Sequence, residues 1–208
     1  MNTAPDKKNN SVTESSLNSL FQYFNGLLPL KEKEREELRT RVKERKIRRK
    51  HYLLQHDDLC KHYTFIITGC FRMFSVDQKG TEHNLQFAAE NDWITDMGSF
   101  YSGKPSQLYI EAIEPSHILQ IEKGDLLFLY SHSSRVNRNF RVIIENKFVE
   151  LQNRLLQNIS STVEERYIYF LEHYPHLSHR LPSTQIASYL GVTPEFLSKV
   201  RKGMASKA

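Results

Sequence analysis

The sequence predicts an α+β fold in which a strand-rich segment is followed by one long helix and then by a pair of short C-terminal helices. Three observations carry that expectation. Turn residues at Asp57-Asp58, Gly69, Gly80, Asn91-Asp92, Gly103 and Glu114-Pro115 punctuate residues 46–123 at intervals of about 11 or 12, each flanking a short β-rich run. Phe140, Ile144, Phe148, Leu151 and Leu155 then recur at spacings of 4, 4, 3 and 4, the period of one helix face. Finally, residues 183–203 place two helix starts around a turn glycine.

In chain order, residues 1–15 are polar and lack an apolar run, which predicts a disordered tail without a secretory signal. Leu17, Leu20, Phe21 and Phe24, followed by Leu38 and Val42, predict a helical lead-in over 16–42. The runs Tyr63–Ile67, Cys70–Val76, Asn84–Phe87, Tyr109-Ile110 and His117–Ile121 read as strands whose regular spacing argues a sandwich, a jelly roll or a barrel. Asp77-Gln-Lys-Gly80 lies between two of them and signals a hairpin. From Lys123 onward strand chemistry stops. The long helix must bury its stripe either on the strand-rich part of its own chain or against a second copy in a parallel seam, and periodicity leaves both open. Beyond Asn158-Ile-Ser-Ser-Thr162, a capping box at Ser161 and Glu164 or at Thr162 and Glu165 opens a further helix, which Tyr174-Pro175 ends.

In the last segment, Ser183 is placed to cap a helix holding Ile186, Ala187 and Leu190. Gly191 is placed for the positive φ of a tight turn, and Thr193 for the cap of a second helix with Pro194 at its first position. Two steeply crossed helices need a small residue at their contact, here Ala187, and apolar residues locking them, here Ile186, Leu190, Val192, Leu197 and Val200. That set meets the requirements of a helix-turn-helix. The outer face of the second helix would then show Glu195, Ser198, Lys199, Arg201 and Lys202. Glu195 can accept from cytosine N4 and Lys199 can donate to guanine O6/N7, while Ser198, Arg201 and Lys202 suit base edges or phosphates. The plainer alternative is a helical hairpin with a solvated basic face.

Composition narrows the function classes. The chain is 39% hydrophobic and 25% charged, inside the globular range. No apolar stretch approaches the roughly 20 residues that span a bilayer, so the expected location is the cytoplasm. Two cysteines, Cys60 and Cys70, make neither a disulfide scaffold nor the ligand set of a four-thiolate iron-sulfur cluster or zinc site. His173, His176 and His179 stand three apart, but Pro175 breaks the helix that would align them on a metal. Phosphate-binding glycine loops, nucleophile elbows and zinc-protease motifs are missing, which argues against an enzyme. The formal net charge of +5 permits a polyanionic partner without demanding one. Residues 31–50 alone hold 11 Lys/Arg against 5 Glu, a surplus that a solvated helix face and an exposed strand can also explain.

A strand-rich segment, a long apolar helix and a helix-turn-helix, in that order, resemble the Crp/Fnr family of bacterial transcription regulators. These join a cyclic-nucleotide-binding-type β-roll to a winged-helix DNA-binding domain. The carriers are Tyr52-Leu53-Leu54, Tyr63–Gly69, Gly80, Asn91-Asp-Trp-Ile94 and Ser183–Lys202. The resemblance implies a double-stranded β-helix or jelly-roll sensor domain over 16–130, a dimerisation helix over 131–160 and a helix-turn-helix domain over 161–208. Its dimer seam would hold Phe140, Ile144, Phe148, Leu151 and Leu155. Its DNA-binding residues would be Ser183, Thr193, Pro194, Glu195, Ser198, Lys199, Arg201 and Lys202. The implied partners are DNA, as an inverted repeat, a second copy of the chain, and RNA polymerase, with no membrane. The family's wing strand after the recognition helix is expected to be lacking. Departures concern the effector, whose pocket would fall at Asp96, Met97, Ser106 and Gln107 with Leu151 and Gln152 of the long helix. Asp96 stands where the cyclic-nucleotide-responsive members carry a glutamate, and neither Ser106 nor Gln107 is the arginine that holds the phosphate. Lys104 is the only cation in that segment, so cAMP is not the expected effector, and the effector is left open.

Overall fold

Helix α1 (Glu14–Asn25) opens the computed structural model, which describes residues 12–206. Thr13 caps it by accepting from the Ser16 N–H, and Leu17, Leu20, Phe21 and Phe24 form its buried face. The helix therefore starts inside the segment expected as a tail, and residues 1–11 of that expectation lie outside the described residues. Helix α2 (Glu32–Arg39) follows, but the lead-in ends sooner than expected, because Val42 already begins strand β1 (Val42–Ile47).

Seven further strands complete the β part: β2 (Tyr52–Leu54), β3 (His62–Thr68), β4 (Phe71–Val76), β5 (Glu82–Ala88), β6 (Trp93–Ile94), β7 (Tyr109–Ala112) and β8 (Ser116–Glu122). They pair antiparallel into two four-stranded sheets, ordered β1-β8-β3-β6 and β2-β7-β4-β5. This is an antiparallel β-roll. The expected hairpin forms where the Gly80 N–H donates to the Asp77 carbonyl at 3.0 Å, with Gly80 at φ +80°. Gly69, before β4, is demanded twice over. Its φ is +108°, and a Cβ there would lie 2.7 Å from the Ser116 Cα.

Short helix α3 (Met97–Ser102) interrupts the roll, and α4 (Lys123–His132) leads into α5 (Ser134–Ser160). The first third of α5 closes the β-roll core. Phe140 is fully buried, with its ring centroid 5.0 Å from Trp93 and 5.5 Å from Tyr63, so it is a core residue of its own subunit. That overturns its place in an intersubunit seam: at this height the β-roll, being wide and aromatic, already covers the helix.

Three helices follow: α6 (Val163–His173), α7 (Ser183–Leu190) and α8 (Pro194–Ala205). Of the two capping boxes that the spacing allows, the one formed by Thr162 and Glu165 opens α6. Tyr167, Phe170, Tyr174, Leu177, Ile186, Tyr189 and Leu197 make a second core, and Cys70, Phe87 and Ala89 of the β-roll belong to it as well. Among the described residues no strand follows β8, and no helix is long and apolar enough to cross a membrane.

Candidate functional site

Helices α7 and α8 form a hook whose geometry follows from a few residues. Gly191 adopts φ +69°, the left-handed conformation that ends α7, and the Val192 N–H donates back to the Ala187 carbonyl at 3.0 Å. Thr193 Oγ1 accepts from the Phe196 N–H at 3.2 Å, and Pro194 takes the first turn of α8. Ile186, Ala187, Leu190 and Leu197 are buried inside the hook. Glu195, Ser198, Lys199 and Lys202 are exposed along the outer ridge of α8.

Two of the residues expected to bind DNA behave differently. Ser183 is not the cap of α7; Pro182 stands there, and Ser183 is the first helical residue. Its Oγ accepts from the Arg201 Nη1 at 2.8 Å, while the Arg201 guanidinium sits 5.0 Å from the centre of the Tyr167 ring. Arg201 therefore turns back toward the hook and braces α8 on α6 and α7.

The hook is seated on the β-roll by a polar seam. Asn84 of β5 donates its backbone N–H to Ser188 Oγ at 3.0 Å and its side-chain amide to Gln185 Oε1 at 2.7 Å. Ser188 Oγ in turn donates to the Glu82 carbonyl at 2.7 Å, and Arg72 reaches Gln185 Oε1 at 3.0 Å. Beside α7, Arg180 bridges Glu90 at 2.8 Å and Glu114. Burial pulls the Glu90 carboxyl up, but Arg180 and the Gly69 N–H outweigh it and hold Glu90 below the usual carboxylate range.

A cavity of about 470 Å³ lies between the β-roll and α5, a size that suits a small molecule. Its walls are mostly apolar, including Tyr63, Met73, Trp93, Met97, Ile144 and Leu151. Of the residues expected there, Asp96, Met97 and Leu151 line it. Ser106, Gln107 and Gln152 do not. Ser106 is buried and donates to Asp96 Oδ2 at 2.6 Å, while Gln107 and Gln152 are exposed. Asp96 is itself committed to structure, because its Oδ1 accepts from the Gly98 and Ser99 N–H groups and caps α3.

Sequence reasoning missed the cations of this cavity, Lys147 and Arg154, since a helical lysine and arginine look like surface residues until a neighbouring sheet covers them. Burial disfavours the Lys147 charge, yet Asp92 at 2.9 Å and Glu150 at 3.1 Å hold its pKa above the ordinary lysine value. Tyr174 donates to the other oxygen of Glu150, tying this cluster to the C-terminal core. Among the described residues Arg154 finds no carboxylate at hydrogen-bonding distance. It donates to the Leu85 carbonyl, to the Asn84 carbonyl at 2.8 Å and to the Tyr189 carbonyl at 2.9 Å, and it stacks 3.9 Å from the Tyr189 ring centre. One side chain thus joins α5, β5 and α7 while bordering the cavity.

The rest of α5 carries an uncovered apolar face. Phe148 is 59% exposed, Leu155 59% and Ile159 76%, with Val149, Leu151 and Leu156 beside them. Leu151 is shared between this face and the cavity rim, and Ile144 is half-buried and lines the cavity.

Residues 44–133 match the family model of the cyclic nucleotide-binding domain. Several solved structures share the fold beyond that segment. FixK2 from Bradyrhizobium japonicum superposes with a TM-score of 0.68 at 19% identity, over 80% of this chain and 85% of that one. The c-di-GMP-responsive global regulator CLP from Xanthomonas campestris gives 0.69 at 14% identity, over 85% and 93%. A protein from Eubacterium rectale assigned to the Crp/Fnr family of transcriptional regulators gives 0.70 at 14% identity, over 91% and 88%. No curated sequence relative matches. Residues 44–133 are thus similar to the cyclic nucleotide-binding domain, and the fold of the chain is shared with solved structures of Crp/Fnr-type transcription regulators.

Proposed function

We propose that this protein is a sequence-specific DNA-binding transcription regulator that acts as a homodimer on an inverted repeat. The observation that carries this is the α7–α8 hook, with a buried inner face and an exposed ridge of Glu195, Ser198, Lys199 and Lys202. Such a pair is a helix-turn-helix, and α8 is its recognition helix. The apolar face of α5 supports the pairing, since a row of exposed Phe148, Leu151, Leu155 and Ile159 suits a parallel two-helix seam. In this reading the seam starts below Phe140, and the sensor, dimerisation and DNA-binding parts meet near residues 131 and 161.

The effector is a small molecule other than a cyclic nucleotide. Lys147 is already neutralised by Asp92 and Glu150, the Arg154 guanidinium keeps its charge but is held in place by three carbonyls, and Asp96 and Ser106 are bonded to each other, so no arginine is set as a two-pronged clamp for a cyclic phosphate. Selection of bound sequences from random duplex DNA tests the function. Recovery of a palindrome with half-sites about 10 bp apart is the expected outcome, and a well-folded dimer that retains no DNA at low salt would overturn it.

A further inference from the structure

The largest feature that the recognition helix leaves unexplained is the run Arg45-Lys46-Ile47-Arg48-Arg49-Lys50-His51 at the end of β1. All of its charged residues are exposed, and among the described residues none of Lys46, Arg48, Arg49 and Lys50 forms a salt bridge. The neighbouring carboxylates are already engaged: Glu44 with His117, Glu82 and Glu111 with Arg72, Glu90 and Glu114 with Arg180. The surplus is therefore local and unneutralised, unlike the alternating charges of α2.

The turn is also firmly built. The His51 N–H donates to the Arg48 carbonyl at 3.1 Å, the Lys50 N–H to the Ala112 carbonyl at 2.7 Å, and the Ala112 N–H to the His51 carbonyl at 3.0 Å. Lys50 sits at φ +62°, a conformation that glycine or asparagine adopts more readily than a lysine does. The sequence nonetheless places a third consecutive cation there. Its position is informative as well. Ala112 leads to Ile113, whose N–H donates to the Cys70 carbonyl inside the core shared with α6 and α7, and then to Glu114, which receives Arg180 from the loop before α7. The basic turn and the hook therefore share one end of the β-roll.

We infer that the Arg48–His51 turn, extended by Lys46, is a second DNA contact that grips the phosphate backbone flanking the site read by α8. The inference rests on the DNA-binding function proposed above. A rigid, unpaired cluster of four cations gains more from a polyanion than from solvent, because each phosphate it neutralises releases a counterion. The contact carries no sequence information and adds affinity only where the duplex is long enough to reach it.

The test uses the full chain and the triple variant Arg48→Gln/Arg49→Gln/Lys50→Asn, in which asparagine suits the backbone of position 50. Both are titrated with a duplex of roughly 20 bp covering the inverted repeat, and with the same site extended by about one helical turn on each side. Wild type is expected to bind the longer duplex more tightly. The variant should lose that gain, about tenfold at fixed salt, and the slope of log K against log[salt] should fall by up to about 5, three cations being removed from each of two subunits. An unchanged unfolding midpoint shows that the fold is intact. A variant that matches wild type on both duplexes and in salt slope overturns the inference while leaving the recognition helix standing, and would assign the turn to an acidic protein surface. A wild type that binds neither duplex overturns both.

Discussion

At the scale of single residues, the clearest demands come from positions where two constraints coincide. Gly69 combines a positive φ with a Cβ position that overlaps the Ser116 backbone, and its N–H anchors Glu90 Oε1 at 2.8 Å. Gly69→Ala should cost about 2–4 kcal/mol in urea unfolding, from backbone strain plus overpacking. A loss near zero would mean that Ser116 can withdraw without penalty. On α8, Lys199 is exposed and Arg201 is turned onto Ser183 and Tyr167, so the two basic residues should part company in DNA titrations. Lys199→Ala should relax sequence preference, with a loss of about 1–3 kcal/mol on the best site if it reads a base. Equal loss on every sequence would reassign it to phosphate. Arg201→Ala should instead lower thermal stability and leave the salt slope almost unchanged.

At the scale of elements, α5 changes its role along its length. Its start belongs to the β-roll, where Phe140 packs among Tyr63, Trp93 and Phe24, and its end carries apolar residues that none of the described residues covers. Substitutions at the two ends should therefore separate stability from association. Phe140→Ala should destabilise the subunit by about 3–5 kcal/mol. Leu155→Glu together with Ile159→Glu should leave the unfolding of the subunit almost unaltered and shift sedimentation from dimer to monomer. A double variant that stays dimeric would place the seam elsewhere. The periodic stripe alone could not divide these roles, because a helix face repeats identically whether its neighbour is a sheet or another helix.

At the scale of the whole molecule, the question is what keeps the hook seated on the β-roll. Arg180 with Glu90 and Glu114, Glu150 with Lys147 and Tyr174, and Arg154 on its carbonyls all cross that boundary. Burial pulls Glu150 up, but Lys147 and Tyr174 outweigh it, so Glu150, like Glu90, sits below its ordinary value of 4.5. A carboxylate with a depressed folded pKa contributes stability that is complete above its unfolded pKa and fades as pH falls through the folded one. The seat should therefore hold at neutral pH and loosen below about pH 4.5. Asp92, raised by burial, titrates in the opposing sense and offsets part of the effect. Glu90→Gln at neutral pH should reproduce part of the loosening, seen as faster tryptic cleavage within residues 161–182 while the β-roll persists. Equal cleavage of variant and wild type would show that apolar packing alone holds the seat.

The order of parts, the hairpin at Gly80, the caps at Thr162 and Thr193 and the turn at Gly191 were all legible in the amino acids, because each depends on neighbours within about four positions. Two-residue and three-residue strands such as β6 and β2 are too short to show a period, and β1 was hidden by its charges. The candidate site divided along the same line. The exposed ridge of α8 could be read locally, whereas the roles of Phe140, Lys147, Arg154 and Arg201 depend on partners such as Tyr63, Asp92, Asn84 and Ser183, which lie 18 to 77 positions away and are set by how the segments meet. Local hydrogen bonding and steric preference write themselves into adjacent residues, but burial of a charge or a ring is decided only when distant segments exclude water together.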